Sequence, residues 1–252
     1  MQRTRLELES GIVLDARRAL WLAGERTLVV ADLHFGYVWA QRQSGQLLPL
    51  SANDDTAERL LALAEDYDAQ SVVLLGDIIH AAVPLPELRA ELAKLFAQLR
   101  ARAAVTCVAG NHDRKLARLF LESGIDLPLV REHSLGPYRL LHGDDAVSAI
   151  EHDGFTIIGH EHPAITLSDG VAHSAHCPCF LVARGLIVIP AFSQWAAGGN
   201  VRGGDFMSPL ARAARFEKAV AILAGKLLPV PVVIGPAKPR SDRAINARSS
   251  RR

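Results

Sequence analysis

No apolar run in this 252-residue chain approaches the roughly 20 residues needed to span a bilayer. The opening Met1–Ser10 has no apolar core of signal-peptide length. A membrane partner is therefore not expected, and a cytoplasmic setting is. Cysteine is scarce: Cys107, Cys177 and Cys179 are one more than a single pair, which suits a reducing compartment better than a disulfide framework. Charge of one sign is lacking too. Lys and Arg number 28 against 27 Asp and Glu, a formal +1, so the chain as a whole is neither a basic nucleic-acid coat nor a surface for acidic partners. The Gly-rich stretch Ala196–Gly204 does not follow a P-loop pattern. What is left is an ordinary soluble composition, 49% hydrophobic and 22% charged, with room for one large α/β domain.

Along the chain, short strands are expected at Arg5–Leu8, Ala19–Ala23 and Thr27–Ala31. Helical spacing of apolar residues follows at Ser51–Asp66, Pro86–Arg102 and Arg114–Glu122, the last closed by Gly124. Ser71–Leu75 and Val105–Ala109 are β-rich runs between them, so this half reads β-α-β-α-β-α. Beyond residue 125 the pattern changes to short strands and turns: Leu127–Arg131, Tyr138–Leu141, Phe155–Ile158, Ala164–Leu167, Cys179–Ala183, Leu186–Ile189, Lys218–Leu223 and Lys226–Pro229. Two stacked mixed sheets with helices outside satisfy both halves. The expected domain is residues 1–236. Residues 237–252 lose apolar periodicity and read as a basic, disordered tail. It carries Lys238, Arg240, Arg243, Arg248, Arg251 and Arg252 against Asp242 alone, and is either a DNA contact or a solvated terminus.

Five short segments carry the chemistry: Asp32-Leu33-His34, Gly76-Asp77, Gly110-Asn111-His112-Asp113, His142-Gly143 and Gly159-His160-Glu161-His162. Each ends or follows a strand-like run, and α/β sheets place ligands just outside the carboxyl ends of their strands. Asp32 and His34, like His160 and His162, are two positions apart, which puts both side chains of each pair on one face of an extended backbone.

The order and spacing of these segments resemble the calcineurin-like metallophosphoesterase superfamily. Ala31–Gly36, Leu75–His80 and Cys177-Pro178-Cys179-Phe180-Leu181 further resemble its small bacterial and archaeal branch, which includes the ligase-associated DNA-damage-response endonucleases. The resemblance implies a four-layer αββα sandwich of two mixed β-sheets flanked by helices. It implies a first metal held by Asp32, His34, Asp77 and His162, and a second held by Asp77, Asn111, His142 and His160, with the Asp77 carboxylate bridging. His112 would protonate the leaving oxygen, oriented by Asp113. His80 would either contact a substrate phosphate or line the pocket wall.

Imidazole, carboxylate and amide ligands without thiolate suit Mn²⁺, with Fe²⁺ or Zn²⁺ as alternatives. Two divalent ions over two carboxylates leave net positive charge, which attracts a phosphate anion. The expected function is therefore a dinuclear-metal-dependent phosphoesterase cleaving phosphodiester bonds. The branch points to a DNA endonuclease of repair, associated with a DNA ligase, a helicase and an exonuclease. A phosphatase or phosphodiesterase on a small nucleotide or other phosphoester is the alternative, and a partner-binding scaffold with a vestigial site is a third reading.

Three further features remain. His133 and His152 read as solvated. His173, His176, Cys177 and Cys179 are spaced closely enough for zinc but read better as buried reduced cysteines beside polar histidines. Trp195 either stacks on a nucleobase or anchors its Gly-rich loop.

Overall fold

Strand formation in the first half follows from burial on both faces. A computed structural model describes residues 3–8, 11–46, 55–81, 86–145 and 154–236. In it β1 (Arg5–Glu7), β2 (Ile12–Asp15), β3 (Ala19–Leu22) and β4 (Thr27–Ala31) form an antiparallel meander. Parallel strands β5 (Ser71–Leu75), β6 (Ala104–Val108) and β7 (Leu129–Val130) extend it to seven strands. Leu28, Val30, Val72 and Leu74 point to one cluster, while Val29, Ala31, Val73 and Leu75 point to another. A parallel strand covered on both faces is apolar at every position rather than alternating.

The first of those clusters lies under helices α1 (Tyr37–Gln43), α2 (Thr56–Asp66), α3 (Pro86–Arg100) and α4 (Leu116–Glu122), through residues such as Leu60, Leu63, Leu92, Phe96, Leu119 and Phe120. Helix α4 ends at Gly124 as expected. Gly124 takes φ 69°, its N–H reaches the Leu121 carbonyl, and Ile125 N–H reaches that of Phe120 at 2.8 Å. These are the two bonds of a Schellman cap, and Ile125 is buried behind it.

The second sheet, also mixed, contains β8 (Glu132–Leu135), β9 (Tyr138–Leu141), β10 (Phe155–Ile158), β11 (Pro163–Ser168), β12 (Ser174–Ala183), β13 (Leu186–Val188) and β14 (Gly199–Asn200), with β15 (Phe216–Leu223) and β16 (Lys226–Ile234) joined through β12. Its inner face, with Leu140, Ile157, Phe180, Ile187 and Val220, meets the inner face of the first sheet. Its outer face packs Ile158, Leu181, Val188 and Phe216 beneath α5 (Pro209–Ala213) and the segment around Phe206. The architecture is the expected αββα sandwich. Among the described residues its fourth layer is thin.

Several bounds differ from those expected. Strand β2 and helix α1 were not anticipated, and β12 begins at Ser174 because Ser174–Pro178 pairs antiparallel with β11. Arg114–Lys115 belongs to a 3-10 turn, Asp113–Lys115, rather than to α4. The start of the expected Ser51–Asp66 helix, His152 and the 237–252 tail lie outside the described residues.

Candidate metal centre

The carboxyl ends of β4, β5, β6, β9 and β10 converge where the two sheets meet. Asp32 N–H donates to the Gly76 carbonyl at 3.1 Å, Gly76 N–H to Val108 at 3.0 Å, and Gly159 N–H to His142 at 3.1 Å. The segment after β13 closes the ring, for Ser193 N–H donates to the Asp32 carbonyl at 3.2 Å. All seven expected ligand residues are brought together at this point.

Two groupings of donor atoms result. Asp32, His34, Asp77 and His162 each offer one ligand atom, all within 4.8 Å of one another. Here His34 Nε2 lies 3.2 Å from His162 Nε2, which in turn is 3.5 Å from Asp32 Oδ1. In the second grouping, His142 Nε2 lies 3.2 Å from Asn111 Oδ1, 3.2 Å from His160 Nδ1 and 3.5 Å from Asp77 Oδ1. Asp77 thus stands between the two sets.

The chemistry of these donors fits divalent cations. Asp32 is fully buried, and its Oδ2 accepts the His160 N–H at 2.9 Å while Oδ1 accepts no hydrogen bond. An orphaned buried carboxylate oxygen is costly unless a cation meets it. Ring nitrogens 3.2 Å apart likewise share one proton or one cation. His142 Nδ1 lies 3.3 Å from the Leu75 carbonyl, which directs Nε2 towards the second grouping.

The electrostatics leave lone pairs available on His34, His160 and Asp32 but push Asp77 and His162 the other way. Burial, helped by the neighbouring imidazoles, drives the His34 pKa down to about 3, and burial with His142 lowers that of His160. Burial pushes Asp77 up, Asp32 adding to it. For Asp32 burial acts upward too, but His162, His142 and His34 outweigh it and hold the carboxyl below its ordinary value. His162 opposes its own burial through Asp32 and ends above the usual imidazole range.

The backbone is strained here. Asp32, His34, Asp77, His160 and His162 have φ of 53°, 45°, 43°, 66° and 43°, and they are five of the nine described non-glycine residues in that region. Such conformations cost on the order of 1–3 kcal/mol each and gather where a site over-determines them. The neighbouring glycines make room for ligand side chains rather than only for an ion. A Cβ at Gly76 would lie 2.0 Å from His142 Nδ1, and one at Gly110 would lie 2.3 Å from Asp77 Oδ1.

His112 flanks the second grouping. Its N–H donates to Asp77 Oδ1 at 2.9 Å, its Nε2 lies 3.9 Å from Asp77 Oδ2, and its side chain is 41% exposed. The expected orientation by Asp113 is not formed. His112 Nδ1 instead meets the His80 carbonyl at 3.0 Å. Asp113 is buried, and its carboxylate accepts the N–H groups of Gly110, Ile78 and Ile79 at 2.9, 3.2 and 3.3 Å. It clamps the loops after β5 and β6 together, because three unpaired backbone donors there attract it more strongly than one imidazole. His80 itself sits between rings, 5.5 Å from His34 and 5.8 Å from His112, and burial lowers its pKa.

Two contributions had no sequence signal, since the carbonyls of His80 and Leu75 that orient His112 and His142 belong to the backbone. Glu161 had one. It stands between His160 and His162 in a bend rather than a strand, and it is buried where it accepts the Ser208 N–H. His173 pairs with Asp169 at 3.0 Å and His176 with the Gly198 carbonyl at 3.3 Å, whereas all three cysteines are buried and free. His133 lies on β8, partly exposed.

A family model described as calcineurin-like phosphoesterase matches residues 25–168. The fold is similar to the crystal structure of Pseudomonas putida nuclease MPE, with a TM-score of 0.65 and 24% identity over 91% of this chain and 100% of that one. No curated protein matches the chain in sequence.

Proposed function

The chain belongs to the calcineurin-like phosphoesterase family, and from that premise we propose that it is a manganese-dependent phosphodiesterase acting on DNA, an endonuclease of a repair pathway. The observation that carries the chemistry is the placing of Asp77 between two groups of imidazole, carboxylate and amide donors with His112 beside them. Asp32, His34, Asp77 and His162 would hold one divalent ion, and Asp77, Asn111, His142 and His160 the other. When bound, the ions supply positive charge that draws in a phosphate, polarises it and lowers the pKa of water. Donors without thiolate favour Mn²⁺, with Fe²⁺ or Zn²⁺ as alternatives.

The residues of the chain then divide the remaining work. With His112 Nδ1–H donated to the His80 carbonyl, a proton on Nε2 can be delivered to the leaving oxygen, which is too basic to depart alone. Asp113 keeps the loops of Asp77 and Asn111 at a set distance. His80 lines the wall beside His34.

A polymer suits the shape better than a small ester. Asn111 and His112 are exposed, and the half-open groove beside them is lined by Arg114 and Arg131 together with Glu132, Asp144 and Asp145, Arg131 lying 3.9 Å from Asp145. Small ligands are usually enclosed to 70–90% of their surface, whereas a strand passing through needs an open path to the donors. The fold neighbour is itself named a nuclease. No described helix is long and apolar enough to cross a membrane, and the free cysteines fit the cytoplasm.

The test is cleavage of single-stranded circular DNA after chelation and reloading with Mn²⁺, Mg²⁺ or Zn²⁺, beside hydrolysis of small nucleotides. Linearisation fastest with Mn²⁺ supports the reading. Turnover confined to small phosphoesters refutes it. Genes for a ligase, a helicase and an exonuclease beside this one would support the repair assignment.

A further inference from the structure

Trp195 does not anchor its loop in the interior. Among the described residues neither it nor Tyr37 joins any of the three apolar clusters, whereas Trp21 is 9% exposed within the first and Trp39 packs against it. Instead the indole stacks on the Tyr37 ring, 5.4 Å between centroids and 11° from parallel. Tyr37 meets the His80 ring at 4.7 Å, and His80 meets His34 at 5.5 Å. A row of rings leads from the donor cluster outward in the order His34, His80, Tyr37, Trp195.

The row is tied to the centre. Tyr37 N–H donates to the His34 carbonyl at 3.1 Å, and His80 N–H to that of Phe35 at 3.1 Å. Trp195 N–H donates to Ser193 Oγ at 3.2 Å, and fully buried Ser193 is the residue whose N–H holds the Asp32 carbonyl. From the other side, the Gln194 amide donates to both Asp55 oxygens at 2.9 and 2.8 Å. Arg59 pairs with Asp55 at 3.3 Å, donates to the Phe192 carbonyl at 3.1 Å and lies 4.3 Å above the Phe192 ring. A partly exposed aromatic pair is therefore tied by hydrogen bonds both to the backbone of the ligand loops and to Asp55.

Firm bracing of two large rings outside the core serves binding rather than packing. We propose that Tyr37 and Trp195 form a stacking platform for a nucleobase of the strand being cut, flanking the Asp32–His34–His162 side of the centre. This rests on the reading of the chain as a nuclease of DNA. Every base has a flat π-face, so such a platform tolerates sequence. It also favours single strands, because bases in a duplex already spend both faces on their neighbours.

The test measures inhibition of bis(4-nitrophenyl) phosphate turnover in the Mn²⁺-loaded protein by two strands of equal length. One is a short oligothymidylate and the other a strand of abasic residues with the same phosphates. Each inhibition constant reports binding whether or not the strand is cut. The platform predicts that the base-bearing strand binds about 5- to 100-fold more tightly. That ratio should collapse towards one in Trp195→Ala and survive in Trp195→Phe, which keeps a ring. A wild-type ratio near one, or an undiminished ratio in Trp195→Ala, overturns the proposal. Equal weakening of both strands also overturns it, since the rings would then only shape the loop. Cleavage of the oligothymidylate is read separately on a gel. Cleavage without base preference sinks the platform alone, and base preference without cleavage sinks the endonuclease reading alone.

Discussion

Replacing Gly110 by alanine perturbs the metal centre without removing any ligand. The added Cβ would lie 2.3 Å from Asp77 Oδ1 and 2.4 Å from Asp77 N, whereas real Cβ atoms essentially never come closer than 3.0 Å. One of the clashing atoms is backbone, so rotating the Asp77 side chain does not relieve the contact. The loops must separate by roughly 0.6 Å to bring the backbone contact from 2.4 to 3.0 Å. Asp113 resists this, because it holds the N–H groups of Gly110, Ile78 and Ile79 together. A misplacement of about 1 Å costs on the order of 10²-fold in rate, and disturbed ligand support costs about 10–100-fold in metal affinity. Gly110→Ala should therefore lose about 10–100-fold of its kcat on bis(4-nitrophenyl) phosphate and need more Mn²⁺ for half-maximal activity. Gly24→Ala is the control, since nothing lies within 4 Å of its added Cβ and its φ is ordinary. Steady-state kinetics across a Mn²⁺ titration, with thermal melting to monitor folding, decide the matter. Wild-type kcat and Mn²⁺ requirement in Gly110→Ala would refute the claim that Asp77 must stand where it does.

Asp77→Ala should lose both ions, because its carboxylate faces both donor groupings, while Asn111→Ala should weaken mainly the second. Elemental analysis checks this, and two ions retained in Asp77→Ala would remove it from the bridging position. His112→Ala should slow cleavage of a DNA diester by about 10²–10⁴-fold but hydrolysis of a nitrophenyl ester much less, since nitrophenolate leaves without a proton. Equal losses at unchanged metal content would give His112 another task. Buried Asp15 accepts Arg17 Nε at 3.0 Å and Tyr67 O–H at 2.9 Å; burial raises its pKa, but Arg17 and Tyr67 together bring it below the ordinary value. Its contribution is thus present above the unfolded pKa and lost as pH falls through the lower folded one. Asp15→Asn should be about 2–4 kcal/mol less stable at neutral pH and show a shallower loss of stability below about pH 4, read from urea midpoints. Parallel acid limbs in the two proteins would count against this.

Much of the centre was legible locally. Runs such as Ser71–Leu75 announce strands buried on both sides. But Asp32, His34, His160 and His162 lie beyond the strand ends with positive φ, so their donors meet through tight left-handed turns rather than by the expected alternation of extended chain. The end of α4 was legible as well, because Gly124 alone among its neighbours adopts φ 69° without a side-chain penalty. Strand β2 was not, since Gly11 and the short span Ile12–Asp15 look like a turn until Leu6 and Trp21 pair with it on either side. Nor was Asp113, whose place beside His112 in sequence suggested a contact that three backbone N–H groups took over.

The sequence by itself determined the positions of most strands, the types of donor and their family resemblance, because these depend on spacing along a few residues. Only the tertiary structure decided which atoms face each other. The His80 carbonyl behind His112, the Leu75 carbonyl behind His142, and the meeting of Tyr37 with Trp195 join positions far apart in the chain. Such contacts exist only once two sheets have packed, since packing of the whole sandwich, rather than any local preference, brings the ends of β4, β5, β6, β9 and β10 to one point.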